Sequence, residues 1–325
     1  MAYADLLGEH ESIRAVRDLV ARIATSPART VLLYGETGTG KGLVARMLHR
    51  LSARAARPFV DVNCAAIPAS LMESELFGHE RGAFTGAAGA KPGLIEAADG
   101  GTLFLDEIRE MDLQLQAKLL TMLDTQRFRR LGAVKQTAAD VRFVASTNRI
   151  LLSEVKAGRF RDDLYWRLQV VPVNIPPLRA RGDDVLLLAA SFLRHHGERC
   201  GRVIRGLEPR VAEVFRRYSW PGNVRELENL IERIAILETE DQVLVKHLPD
   251  RILREVEGRA LPEAAEGEGA VDLRFHEATD RFQKALIDKA LREADGRHGR
   301  AAARLGLSRH ALRHQMQKLG MAVPA

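Results

Sequence analysis

Five short apolar runs space out the first half of the chain: VLLY (31–34), PFVDV (58–62), GTLFLD (101–106), VRFVAST (141–147) and VPVNI (171–175). Between them the apolar positions recur at helical spacing. Strands alternating with helices predict a parallel sheet covered on both faces, an α/β fold. From 183 to about 255 the pattern is helical throughout, with WPGN (220–223) as its one strong breaker. RALPEAAEGEGA (259–270) is rich in Ala, Glu, Gly and Pro and offers nothing to bury, so it reads as a linker. From about 271 to 320 helical spacing returns, as a small separate all-α domain. The expected division is an α/β part (1–178), a helical part (179–255), a linker (256–270) and a terminal helical domain (271–325).

One stretch fits no period. In LFGHERGAFTGA (76–87), Phe84 stands among Gly82, Ala83, Thr85, Gly86 and Ala87. A core phenylalanine has apolar neighbours at spacings of two, three or four. Phe84 has glycines and small residues instead, as if held out on a movable arm.

Two motifs carry phosphate chemistry. GETGTGK (35–41) follows the apolar run VLLY and precedes LVARMLHRL, which has helical spacing. Strand, glycine loop, lysine and helix form the context of a phosphate-binding P-loop. Gly35, Gly38 and Gly40 let backbone amides curl around phosphate oxygens, with Glu36, Thr37 and Thr39 between them. The helix N-terminus adds its positive end and Lys41 reaches the outer phosphates. Gly42 departs from the rule, because it stands where a Ser or Thr would offer Mg²⁺ a hydroxyl. GTLFLDE (101–107) is an apolar strand ending in two carboxylates, the Walker B arrangement. Asp106 is expected to hold Mg²⁺, directly or through water, and Glu107 to orient and polarise the attacking water. STN (146–148) ends the next strand, where Thr147 or Asn148 could sense the γ-phosphate, or simply close a turn.

Bulk properties narrow the setting. The 325 residues are 46% hydrophobic and 28% charged, ordinary globular values. No 18-residue apolar run predicts a membrane span, and MAYADLLGEH lacks a secretion pattern. Cys64 and Cys200 are too far apart for a metal or redox motif, which fits a reducing cytosol. A net charge of +6 mildly favours a polyanionic partner.

ESELFGHERGAFTGA, taken with GETGTGK, GTLFLDE, FRDDLYWRL and WPGNVRELEN, resembles the AAA+ activators of sigma-54 RNA polymerase, the bacterial enhancer-binding proteins. The resemblance covers residues 6 to about 320, and GAFTGA (82–87) is its most specific motif. It implies an AAA+ P-loop sheet with a helical lid, an ATPase using ATP and Mg²⁺, and a loop whose Phe84 and Thr85 touch sigma-54. Gly82 and Gly86 would give that loop its freedom. Asn63, in VNCAA (62–66), matches the residue that in this family hydrogen-bonds the Walker B glutamate, here Glu107. Arg161 and Arg167 in FRDDLYWRL (160–168) match arginine fingers, supplied by a neighbouring subunit of a ring, a hexamer by resemblance. Arg225, in the first turn after WPGN, matches sensor II. Gly42 and Ala180 stand where the family more often has glutamate.

GRHGRAAARLGLSRHALRHQMQKLGM (296–321) reads helix, tight turn, helix, and resembles the Fis-type helix-turn-helix. Ser308 caps the second helix; Leu307, Leu312, Met316 and Leu319 pack inward. Six Arg or Lys and no acid lie between 297 and 318, and Arg309, His310, Arg313 and His314 are the expected DNA-facing residues. The expected function is an ATP-driven transcription activator, cytoplasmic and nucleoid-associated, that binds enhancer DNA as dimer units feeding the ring. Two competitors are a DNA-binding repressor using ATP only for assembly, and a generic AAA+ remodeller. LLGEHESIRAVRDLV (6–20) already belongs to the ATPase module. Control is therefore expected either from a partner in trans or from a regulatory domain absent from this chain.

Overall fold

The five apolar runs become five parallel strands: β1 Thr30–Tyr34, β2 Phe59–Asn63, β3 Thr102–Asp106, β4 Arg142–Thr147 and β5 Pro172–Asn174. They lie in the order β2-β3-β4-β1-β5. This is a computed structural model that describes residues 6–258 and, beyond them, 284, 287, 290, 291, 294, 298–304, 312, 316 and 321. The order explains the sequence pattern. The three inner strands are buried on both faces and have apolar centres (31–33, 103–105 and 143–145), whereas the edge strands β2 and β5 show exposed positions.

Helices α1 (Glu11–Ala24) and α2 (Lys41–Arg50) cover one face, packing Ile13, Val20 and Leu48 against Val31, Leu33 and Val144. Helices α3 (Ala69–Phe77), α4 (Leu113–Thr125) and α5 (Asp162–Leu168) cover the other, around Leu105, Phe143 and Ala145. The buried Arg142 on β4 donates to the carbonyls of Ile23 (2.7 Å) and Ala24 (3.0 Å), closing the C-terminus of α1. Two short antiparallel ladders project from this core: Gly78–His79 with Lys91–Pro92, and Arg127–Phe128 with Thr137–Ala138.

The helical part holds α6 (Asp184–Arg199), α7 (Pro209–Arg217), α8 (Asn223–Leu237) and α9 (Asp250–Val256) around one core containing Phe192, Phe215, Trp220 and Ile231. WPGN is a break, as expected: Trp220 donates Nε1–H to the Phe215 carbonyl at 2.8 Å and stacks edge-on against Phe215 and Tyr218. Two further breaks, 200–208 and 238–249, escaped the sequence pattern. They support each other through a bridge between Leu207 and Val243, and Arg202 donates to the carbonyls of Ala235, Glu238 and Glu240. Val256, expected to open the linker, is instead a buried residue ending α9.

The chain divides into two compact units near residue 259. In the second, α10 (His298–Arg304) supplies Ala301 and Ala302 to a cluster with Ile287, Ala290, Ala294, Leu312 and Met316. Leu312 and Met316 thus point inward as expected. Leu307, Ser308, Arg309, His310, Arg313, His314 and Leu319 lie outside the described residues.

Candidate functional site

The loop between β1 and α2 turns back on itself because Gly38 and Gly40 take positive φ, 80° and 106°. Helix α2 starts at Lys41 without a side-chain cap, so its first amides remain available to an anion. Thr37 to Gly42 line a cavity of about 490 Å³ together with Asn63, Asp106, Glu107 and Arg225. Leu6, Leu7, Leu188 and Phe192 form its apolar wall. The segment at Leu6 and Gly8 is held by Arg17, which donates to both carbonyls, at 3.0 and 2.6 Å.

Lys41 is buried, donating to the carbonyl of Gly35 at 2.9 Å, and its Nζ lies 3.7 Å from Glu107 Oε1. The other Glu107 oxygen is buried without a hydrogen-bond partner, with Arg109 Nε 4.0 Å away. Ser146 donates its hydroxyl to Asp106 Oδ1. A glycine cradle, a lysine and an unsatisfied carboxylate oxygen in one cavity fit a nucleotide triphosphate with its metal ion and attacking water. A Cβ at Gly42 would meet only Phe104, at 3.8 Å, so packing does not force the glycine there.

Several expected residues are placed differently. Gly35 closes the strand, its N–H donating to Thr147 O, and is not part of the cavity lining. Glu36, expected at the nucleotide, is turned to the lid, where Arg179 holds it in a bidentate pair at 2.8 and 2.5 Å. That pairing keeps its carboxyl well below the usual range, at about 2. Thr147 is fully buried and its hydroxyl is engaged with residue 149 of its own turn. Asn148 instead reaches the P-loop, donating to Thr37 Oγ1 at 3.2 Å. The expected Asn63–Glu107 bond is not made; Asn63 Oδ1 accepts the Ala65 amide at 3.0 Å and caps a short 3-10 turn.

Arg225 stands in the first turn of α8 and lines the cavity. Arg161 and Arg167 do not. They are half-exposed and paired with Asp163 and Asp124, and Arg167 also donates to the carbonyl of Leu123. Missed by sequence reasoning were Arg179, Arg181 and Asn223, lid residues that bond to the P-loop.

The 82–87 stretch forms a tight tip beyond the first ladder. Gly82 N–H donates to Ala87 O at 2.9 Å and Ala87 N–H to Phe84 O at 3.0 Å, with Gly82 and Gly86 at φ of 79° and 106°. Ala87 is buried; Phe84 is 39% exposed and leans edge-on against His79, ring centroids 5.0 Å apart. The base is braced by Arg130, which pairs with Glu80 (3.1 Å) and Glu96 (2.7 Å).

Among the described residues, Glu238, Glu240 and His247 come within metal-ligand distance of one another. His247 Nδ1 accepts the Leu244 amide at 3.1 Å, which puts the ring proton on Nε2, the atom facing the carboxylates. The His247 ring then offers a metal no lone pair on the side facing the carboxylates, and Lys246 already pairs with Glu240.

The model of the sigma-54 interaction domain matches residues 6–174. The chain belongs to the sigma-54-dependent activator family. An AAA+ ATPase lid domain matches 179–264, and the Fis family of bacterial regulatory proteins matches 279–319. The regulatory protein LuxO of Vibrio cholerae is 43% identical over 319 residues, covering 97% of this chain and 69% of LuxO. The formate hydrogenlyase transcriptional activator FhlA of Escherichia coli is 46% identical over 322 residues, covering 98% of the chain but 45% of FhlA. The crystal structure of NtrX from Brucella abortus with ATP superposes with a TM-score of 0.72 at 35% identity, covering 98% of this chain and 69% of NtrX. Membership makes the chain an AAA+ ATPase with a Fis-type DNA-binding part. Among the described residues no helix is long and apolar enough to cross a membrane.

Proposed function

We propose that this protein activates sigma-54 RNA polymerase by turning ATP hydrolysis into movement of the 82–87 tip. It binds enhancer DNA through 296–321 and assembles, from dimer units, into a homo-oligomeric ring, a hexamer by resemblance. Lys41 and the loop amides bind the phosphates, Glu107 orients the attacking water, and Arg225 contacts the nucleotide from the lid. Magnesium, held by Asp106, would neutralise charge developing on the phosphates. Arg161 and Arg167 serve the neighbouring subunit's cavity, consistent with their absence from their own. The setting is the bacterial cytoplasm at the nucleoid, with control by a regulatory protein in trans or by a domain outside this chain.

The observation that carries this reading is Phe84, a large aromatic 39% exposed on a glycine-flanked tip, with His79 edge-on against its ring. An exposed aromatic on a braced, small-residue tip suits a protein partner. In vitro transcription from a sigma-54 promoter tests it. Phe84→Ala should keep ATPase activity yet abolish open-complex formation. Loss of ATPase would place Phe84 in the ring's core, and unchanged transcription would show that activation does not run through Phe84.

A further inference from the structure

The lid bonds directly to the P-loop backbone, and two of its residues, Arg181 and Arg225, also line the cavity. Three successive carbonyls are each taken by a lid donor: Thr37 O by Asn223 Nδ2 (3.1 Å), Gly38 O by the Arg225 amide (3.3 Å) and Thr39 O by Arg181 Nη2 (2.9 Å). One residue earlier, Glu36 receives both Nη atoms of Arg179 and, at 3.1 Å, Asn223 Nδ2. Asn223 is itself fixed, fully buried, with its Oδ1 accepting the Leu178 amide at 2.8 Å. The approach is close enough that a Cβ on Gly38 would meet Gly222 O at 2.2 Å.

A planar peptide couples each carbonyl to the following N–H, which points the opposite way. Holding Thr37 O and Thr39 O therefore sets the direction of the Gly38 and Gly40 amides, for which no partner occurs among the described residues. We propose that Glu36 and Arg179 form a clasp through which the lid positions the phosphate-binding amides. They are positioning residues for ATP, and the coupling runs both ways: nucleotide that draws on the amides also draws on the lid. This route is separate from any contact Arg225 makes with the nucleotide. The inference rests on the reading of the cavity as the ATP site.

Steady-state ATPase kinetics of the full chain test it. Glu36→Gln and Arg179→Gln should each raise KM for ATP about fivefold, while kcat at saturation falls less than about twofold. The double variant should be no worse than either single, and the swap Glu36→Arg with Arg179→Glu should recover part of the loss. Additive effects, or an unchanged KM, would overturn the clasp. Should a neutral substitution unfold the chain, Arg179→Lys keeps the charge but loses the fork, and must still raise KM. Lys41→Ala separates the two levels of the claim. If Lys41→Ala binds ATP normally, the cavity reading fails; if it loses binding while the clasp variants match wild type, the clasp alone fails.

Discussion

A separation of 3.7 Å between Lys41 Nζ and Glu107 Oε1 brings together, in one cavity, the cation proposed to bind phosphate and the carboxylate proposed to orient water. Removing the carboxylate's charge while keeping its shape should separate their roles. Glu107→Gln is expected to bind ATP normally and hydrolyse it about 10²–10⁴-fold more slowly, measured by nucleotide titration and phosphate release. Lys41→Ala should fail at the titration. Cys64 is buried and its thiol is pushed up to about 12, first by burial and then by Asp106. Native alkylation should therefore modify the exposed Cys200 alone, with Cys64 reacting only after denaturation. Glu36 titrates low because Arg179 hydrogen-bonds its charged form. A depressed carboxylate contributes stability that is present above its unfolded pKa and lost as pH falls through the folded one. The stability difference between wild type and Glu36→Gln should thus be constant above about pH 5 and vanish toward pH 2, small because the pair is largely exposed.

At the level of elements, the order β3-β4-β1 sets β4 between the Walker B strand and the P-loop strand, which brings Asn148 beside Thr37. Asn223, at the start of α8, holds a left-handed φ of 51° and bonds Leu178, Glu36 and Thr37. Asn223→Ala should cost about 2–4 kcal/mol in denaturant unfolding, from backbone strain plus lost buried hydrogen bonds. Arg130 ties the base of the 82–87 tip to Glu80 and Glu96. Arg130→Ala should speed amide exchange in 78–92 about tenfold while leaving ATPase activity near wild type. The strands and the P-loop were legible because each is a local pattern. The Glu36–Arg179 and Glu36–Asn223 bonds span 143 and 187 residues, and no local period announces them. Likewise 200–208 keeps apolar residues at near-helical spacing, but Gly201, at positive φ just past the Cys200 cap, turns the chain out of the helix. Phe84 fits no period in the sequence; its rest on His79 depends on a two-residue ladder too short to be seen there.

For the whole molecule, the proposed fingers Arg161 and Arg167 are the feature a single chain would be unable to use. Arg161 and Arg167 lie off their own cavity, so subunits lacking a finger and subunits lacking Lys41 should complement each other. Mixing Arg161→Ala with Lys41→Ala chains should restore ATPase at about a quarter of the interfaces in a head-to-tail ring, where neither alone is active. Binding by the terminal unit should weaken steeply with salt, as expected for phosphate contacts by a strongly basic segment. Hydrolysis in the proposed ring would deliver force to sigma-54 through Phe84. Photocrosslinking from residue 84 in the presence of sigma-54 holoenzyme and promoter DNA tests that most directly. Capture of sigma-54 with a transition-state analogue bound, and its loss without nucleotide, is the predicted result; absence of a crosslink to sigma-54 in every nucleotide state would contradict the account.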